Sequence, residues 1–257
     1  MTWFEKYNAL KTIIIKEYLR FIRIWVQTVL PPAITTALYF VIFGNLIGSQ
    51  IGDIDGYKYM DYLVPGLILM AVITNSYGNV VSSFYSAKFQ KSVEELLVSP
   101  VPNYLILTGF VAGGVARGMI VGVVVTIVAM YFSDINVHSY SLSLLIFFLT
   151  ATLFSIAGFI NAIFANSFDD ISIIPTFVLT PLTYLGGIFY SIDMLPEFWQ
   201  NISLVNPILY MINSFRFGVI GVTDTDLPTA IIIIIGFNIV LFSYAMYLLN
   251  RGVGIRQ

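Results

Sequence analysis

Long uncharged runs fill most of the chain, and the few charges between them mark where each run begins and ends. Gln27 to Gly48, Tyr62 to Phe84, Tyr104 to Phe132, Ser139 to Ala165, Ile171 to Ile192 and Leu227 to Leu249 stand out. Each is long enough to cross a hydrocarbon core of about 30 Å as a helix. The pattern predicts an all-α polytopic membrane protein with six transmembrane helices. A polar loop through Asp53, Asp55 and Lys58 follows the first run, and Asn166 to Asp170 is short enough to be only a tight return.

Two further stretches are helical in period but cannot span. From Trp3 to Trp25, Trp3, Tyr7, Leu10, Ile14, Tyr18, Phe21 and Trp25 recur at spacings of three and four, while Glu5, Lys16, Arg20 and Arg23 gather opposite. Such a helix lies in a membrane interface, with its aromatic stripe buried and its cations among head groups. Residues 1–25 are therefore expected as an amphipathic interfacial helix, and 26–257 as the membrane domain. The mixed charges up to Ile24 leave no uninterrupted apolar core for a cleavable signal peptide. Within 86–99, Lys88, Lys91, Glu94 and Glu95 alternate with Phe89, Val93, Leu96 and Leu97, which predicts a short amphipathic helix ended by Pro100 and Pro102.

The fifth run is the unusual one. Pro175, Pro181 and the pair Gly186 and Gly187 interrupt or loosen its hydrogen-bond ladder, and backbone groups freed in lipid must find partners inside protein. The segment should face other helices or a cavity. Beyond Leu195-Pro196, the uncharged stretch Phe198 to Phe215 carries Asn201, Asn206, Pro207 and Asn213, a set that suits a re-entrant helical region over 195–220 better than a seventh span.

Polar residues inside the other runs should point at protein. Pro31 and Pro32 are expected in the opening turn of the first span, where proline costs least. Asn75 and Asn79 are embedded in the second. In the third, Gly114, Gly118 and Gly122 form a face of small residues that admits another backbone closely. Arg117 interrupts the same run at an insertion cost of about 2.5 to 3.5 kcal/mol, so it should snorkel or pair, with Asp169 or Asp170 as candidate partners.

Composition agrees with a membrane protein. The 257 residues are 58% hydrophobic and 10% charged, against about 25% charged in an ordinary soluble domain. There is no cysteine and one histidine, so disulfides and metal chemistry are not expected. A net charge of −2 with no basic tract argues against nucleic acid as a partner. The cations Lys6, Lys11, Lys16, Arg20, Arg23, Lys88, Lys91, Arg251 and Arg256 fall on one side of a six-span path, with only Lys58 and Arg216 on the other. Both termini are therefore expected in the cytoplasm.

The broken fifth helix with TPLTYLGGIFYS, followed by LP, a tryptophan, and NP before Tyr210, resembles the C-terminal signature of type-2 ATP-binding-cassette (ABC) exporter permeases, and the resemblance extends over nearly the whole chain. It implies a permease subunit of the bacterial inner membrane, paired with a second copy of itself and driven by a separate ATP-binding subunit that holds the ATP and magnesium. Lys88, Lys91, Glu94, Glu95 and Leu96 would then belong to the coupling helix that seats on the ATPase. The helix bearing Lys16, Arg20 and Arg23 would abut the same subunit. Tyr39, Phe43, Tyr62, Tyr184 and Tyr190 would be path-lining candidates. Cargo classes in such a family include drugs, lipids and glycans, and the aromatic, uncharged spans suit an amphipathic one.

The chain's own chemistry is consistent with an external motor. No phosphate-cradling G-x-x-x-x-G-K-[ST] loop occurs. Every Asp and Glu lies in a loop, the terminal helix or a span boundary, which disfavours an ion-coupled carrier. His138 has no matched partner for hydrolysis. A motorless channel or a membrane assembly factor on the same scaffold remains the competing expectation.

Overall fold

A computed structural model describes residues 1–54, 56–133 and 136–254; Asp55 and Arg256, which figured in the loop and cation readings above, lie outside the described residues. Among the described residues, five helices are long and apolar enough to cross a membrane, within Trp25–Gly44, Tyr59–Phe89, Asn103–Phe132, Tyr140–Phe164 and Leu227–Arg251. The segment expected as the fifth of six spans is not a continuous helix.

The chain opens with α1 (Trp3–Ile22), started by a reciprocal cap in which Thr2 and Glu5 each bond the other's backbone N–H. α2 (Trp25–Tyr39) continues as a π-helical stretch, Phe40–Ile47, and a last turn, α3 (Gly48–Ile51). Because α2 starts at Trp25, Pro31 and Pro32 lie inside it and not in its opening turn. A short antiparallel hairpin of β1 (Asp53–Ile54) and β2 (Tyr57–Lys58) then turns the chain into α4 (Tyr59–Phe89).

α4 is the centre of the assembly. Of its most apolar window 83% is buried, against 17% in α2, and α6 (Asn103–Phe132) and α7 (Tyr140–Phe164) flank it. The glycine face of α6 does what its spacing predicts. A Cβ on Gly114 would meet Val80 and Ser155, one on Gly118 would meet Ser76, and one on Gly122 would meet Val72 and Phe147. Val72, Ser76 and Val80 step along α4 by one turn each, so three successive turns of the two helices touch at backbone distance.

Between α4 and α6 the expected coupling helix 86–99 is divided. Residues 86–89 complete α4, Lys91 takes a left-handed conformation at φ 59°, and only α5 (Ser92–Val98) is a separate helix. The fifth run comprises α8 (Asp170–Ile174), a π-helical turn over Pro175–Leu179, and α9 (Thr180–Tyr184), followed by irregular chain and a 3-10 turn at Ile192–Met194. α10 (Glu197–Val205) and α11 (Pro207–Ile220) follow, hinged at Asn206, before α12 (Leu227–Arg251). α10 is largely exposed, whereas α11 is embedded against α4, α7 and α12. A helix too short to cross a bilayer thus sits inside the assembly.

Candidate functional site

Four clusters carry the polar chemistry, and they fall at opposite ends of α4. At the hairpin end, the irregular chain after α9 exposes carbonyls that no helix satisfies, and each finds a side chain. Asn206 Nδ2 donates to the Leu182 carbonyl at 2.6 Å, Tyr190 Oη to Tyr184 at 3.0 Å, and Tyr59 Oη to Phe189 at 3.0 Å. Arg216 donates to the Gly187 carbonyl and to Asn213 Oδ1, and its guanidinium lies 3.8 Å from the centroid of the Tyr62 ring. Gly187 has φ +75°, so a side chain there would be strained. Asp224 accepts from the Ile192 N–H at 3.1 Å and closes the unit. These carbonyls find partners inside the protein, but Ile173, Ile174, Phe177, Val178 and Tyr184 are exposed, so the run does not face other helices of this chain along its whole length as expected. Arg216, counted above among the far-side cations, is fully buried.

Beside this unit is an aromatic face. Tyr39 Oη and Tyr184 Oη are 3.3 Å apart, and Phe189 stacks within 4.9 to 5.9 Å of Tyr39, Phe43 and Tyr184. Tyr39, Phe43, Tyr184 and Tyr190 are therefore brought together, and all four retain exposed surface. Tyr62 is not among them: it is fully buried beneath Arg216. Phe189 is the member that sequence reasoning missed, because a phenylalanine in an apolar run carries no signal of its own.

Toward the α5 end, α1 packs one face on the spans and leaves another uncovered by this chain. Trp3, Tyr7, Tyr18 and Trp25 of the aromatic stripe are exposed, while Ile13, Glu17 and Phe21 face inward. The physical cause is the bare backbone of α6: Ile13 sits over Gly109 and Glu17 over Gly113, one turn to one turn. Glu17 is fully buried; its Oε2 accepts from Ser83 Oγ at 2.6 Å and pairs with Arg20 Nε at 3.4 Å. Arg20 also donates to both the carbonyl and Oδ1 of Asn79, at 2.8 and 2.7 Å. Arg20 is thus drawn out of the expected head-group position, while Lys16 lies over the Phe110 ring and Arg23 is exposed. Glu17 lies on the terminal helix, as expected of the carboxylates, and is buried against the spans. Its only sequence signal was position: Glu17 follows Ile13 by four residues.

Arg117 does not pair with Asp169 or Asp170. Its Nη2 donates to Asn75 Oδ1 at 3.3 Å, and among the described residues Glu17 with Arg20 is the one ion pair. Asp170 is committed elsewhere, accepting from the N–H groups of Asn166 and Ser167 and from Ser167 Oγ, and those bonds, Asn166 first, hold its carboxyl below the usual range. Arg117 is also 14 residues into α6, which places it about 21 Å from that helix's start. The return at 166–170 lies too far away.

At the end of α4, Lys88 Nζ donates to the carbonyls of Ile163 and Ala165 at 2.7 and 2.8 Å, capping the end of α7. Lys88 is accordingly an anchor and not a free coupling charge. Lys91, Glu94 and Glu95 are exposed, Leu96 is half-buried, and Val98 is 87% exposed. A groove of about 330 Å³ separates α5 from α1, bounded by Ile13, Lys16, Glu95, Leu96 and Phe110.

A profile of the ABC-2 type transporter family matches residues 8–220, from α1 to the end of α11. The chain belongs to that family. It is 56% identical over 249 residues to the inner membrane transport permease YadH of Escherichia coli (strain K12), covering 97% of each chain. It is 22% identical over 237 residues to nodulation protein J of Rhizobium leguminosarum bv. viciae, covering 92% of each. Nodulation protein J of Rhizobium meliloti (strain 1021) is 22% identical over 202 residues, with 78% of this chain and 77% of that one aligned. In this ABC-2 type transporter the four clusters fall within the matched range except for Asp224, and α12 lies beyond it.

Proposed function

We propose that this chain is the permease subunit of an ABC exporter in the bacterial cytoplasmic membrane, working as a pair of copies driven by separate ATP-binding subunits. The observation that carries the reading is the family match over residues 8–220 in a chain whose sequence holds no phosphate loop. Energy must then come from another chain, with ATP and magnesium bound there. Similarity to a protein named as an inner membrane transport permease supports the location and the role.

In this reading six segments cross the membrane, with α8, α9 and the irregular chain after them serving as a broken fifth crossing and α10 with α11 as a re-entrant pair. Both termini face the cytoplasm, supported by Lys6, Lys11, Lys16, Arg23, Lys91 and Arg251. Residues 1–25 form the interfacial arm of the 26–257 membrane domain. α5 receives the motor through Lys91, Glu94, Glu95 and Leu96. Lys88 fixes α4 to α7, so that force on α5 moves those helices together. Lys16 and Arg23 extend the motor-facing surface.

The path between copies is lined by Tyr39, Phe43, Tyr184, Phe189 and Tyr190. An aromatic, uncharged face with hydroxyl groups suits an amphipathic cargo, whether lipid-like, glycan-bearing or drug-like. Gentle purification from the native membrane tests the reading. An ATPase carrying the phosphate loop should co-elute in equal copies, and Glu94→Arg should abolish stimulated hydrolysis while the chain still folds. Recovery of the chain alone after crosslinking at Lys91, or unchanged stimulation in Glu94→Arg, would favour a motorless channel or assembly factor.

A further inference from the structure

A cavity of about 390 Å³ lies at the hairpin end of α4, near the lower end of the range for small-molecule sites. Four parts of the chain build it: Tyr57 of β2, Asp61 and Val64 of α4, the loop that follows α6, and Val219 and Ile220 at the close of α11. The loop is tied down. The N–H groups of His138 and Ser139 donate to the carbonyls of Val219 and Gly218 at 3.1 and 2.7 Å, and the His138 ring meets Phe217 edge-on at 5.4 Å. A wall that is ordered before the ligand arrives lowers the entropy cost of binding.

The described wall carries one sign of charge. Asp61 is half-buried, and Ser133 Oγ donates to its Oδ1. Among the described residues no side chain or backbone group bonds Asp61 Oδ2, and no lysine or arginine lines the cavity. Arg216, on the preceding turn of α11, is directed instead to Gly187, Asn213 and the Tyr62 ring. A carboxylate oxygen left open in a cavity attracts a positive ligand and bonds it strongly if that ligand is also a donor.

The rest of the wall decides which cation. Val64, Val219 and Ile220 are apolar, Tyr57 adds an aromatic ring, and Asn136 adds a side-chain carbonyl. A bare metal ion would leave the apolar part unused, and among the described residues no three His, Cys, Asp or Glu stand close enough to hold one. A neutral molecule would leave the carboxylate unanswered. An ammonium group on an apolar body uses both halves.

We propose that this cavity binds a small organic ammonium ion, with its charge at Asp61 and its apolar substituent against Val64, Val219 and Ile220. The site goes beyond the transport reading. It depends only on how β2, α4, α11 and the loop after α6 come together, so it stands or falls independently of any ATPase.

The test is a calorimetric binding titration at neutral pH of the full-length chain, purified in neutral detergent, with benzylammonium, its uncharged counterpart benzyl alcohol, and zinc as competitor. The ammonium should bind at least about tenfold more tightly than the alcohol, as a charge-assisted hydrogen bond gives. Asp61→Asn keeps an oxygen for Ser133 and should erase that preference. Tyr57→Ala, at an exposed position on the wall, should weaken both compounds severalfold. Absent or equal binding of the two compounds by the wild-type chain, or an undiminished preference in Asp61→Asn, overturns the proposal. So does displacement of the ammonium by zinc at equal concentration, which would mark a metal site. Should Asp61→Asn fail to fold, unchanged ammonium binding in Tyr57→Ala overturns it instead.

Discussion

Arg216 and Arg20 both sit among packed helices, and they are held in different ways. Arg216 bonds the Gly187 carbonyl and Asn213 and lies on the face of Tyr62, so it serves a stretch of backbone that has no ladder of its own. Arg20 bonds Glu17 and Asn79, side chains and backbone of helices whose ladders are already complete. Removing the first strands a buried carbonyl; removing the second leaves two intact helices with less reason to stay together. The hairpin end is therefore built as a scaffold, and the α5 end as a joint.

The sharpest way to break this contrast is at Arg216. Arg216→Leu should destabilise the protein by about 3 kcal/mol or more, since two hydrogen bonds to a charged donor are lost and a buried carbonyl is left unmet. Arg216→Lys should recover little, because an ammonium cannot reproduce the guanidinium's two directions or its stacking. Thermal unfolding in detergent reads both. Stability of Arg216→Leu close to wild type would mean that the irregular chain is held by its other bonds alone.

At the joint the effect should be smaller and of another kind. Glu17→Ala leaves Arg20 without its carboxylate, but Arg20 is partly exposed, so the cost should be about 2 kcal/mol and fall mainly on α1. Since the chain has no cysteine, Ile13→Cys supplies a single reporter, buried between α1 and α6. A maleimide should label it slowly in the wild-type background and severalfold faster with Glu17→Ala. Equal rates would show that α1 is seated by apolar contact and that the ion pair adds nothing to the joint.

How far the sequence announced these two regions depends on how local each signal is. The proline and glycine breaks of the fifth run are local, and so was the inference that freed carbonyls must be satisfied; which residues satisfy them was not, because Asn206 and Arg216 lie some 24 and 29 residues from the carbonyls they meet. The small-residue face of α6 was legible because its four-residue spacing has one structural meaning. The inward seat of Glu17 and Arg20 was not legible, because the periodicity of α1 shows two faces without saying which neighbour each meets. Gly109 and Gly113, outside the stripe first noticed, decide the matter by letting Glu17 approach. The pairing of Arg117 with an aspartate failed for a similar reason: charge suggested a partner, and distance along α6 supplied Asn75 instead. The tyrosines at 39, 184 and 190 come together, while Tyr62 is fully buried beneath Arg216.

The close approach of α4 and α6 underlies both regions, and its cost can be probed on one turn. A Cβ on Gly118 would come within 1.9 Å of Ser76 Oγ but 3.2 Å of its Cβ. Because a hydroxyl can rotate aside, Gly118→Ala should cost only about 1 kcal/mol, the low end for overpacking. Adding Ser76→Ala should return most of it. Gly78→Ala, with nothing within 4 Å, should be neutral or slightly stabilising through helix propensity. A loss in the Gly78 variant equal to that at Gly118 would show that the glycines serve flexibility and not approach.

The smallest effect is expected where a carboxylate does its work in solvent. Asp226 caps α12, accepting from the Thr229 hydroxyl at 2.5 Å and its N–H at 3.0 Å, and those bonds hold its carboxyl below the usual range. The sign follows from the depressed value: its contribution is fully present above the unfolded value of about 3.9 and is lost as pH falls through the lower folded one. The difference in unfolding midpoint between wild type and Asp226→Ala should therefore stay constant from neutrality down to about pH 5 and shrink below about pH 4. Asp226→Asn, whose amide oxygen can still accept, should lie between the two and lose that pH dependence. Glu17 shares no hydrogen-bond partner with Asp226, so substitution at position 17 should leave this acid limb where it is. A limb displaced by Glu17→Ala would mean that the joint at one end of α4 is felt at the start of α12, and the separation of scaffold from joint would have to be given up.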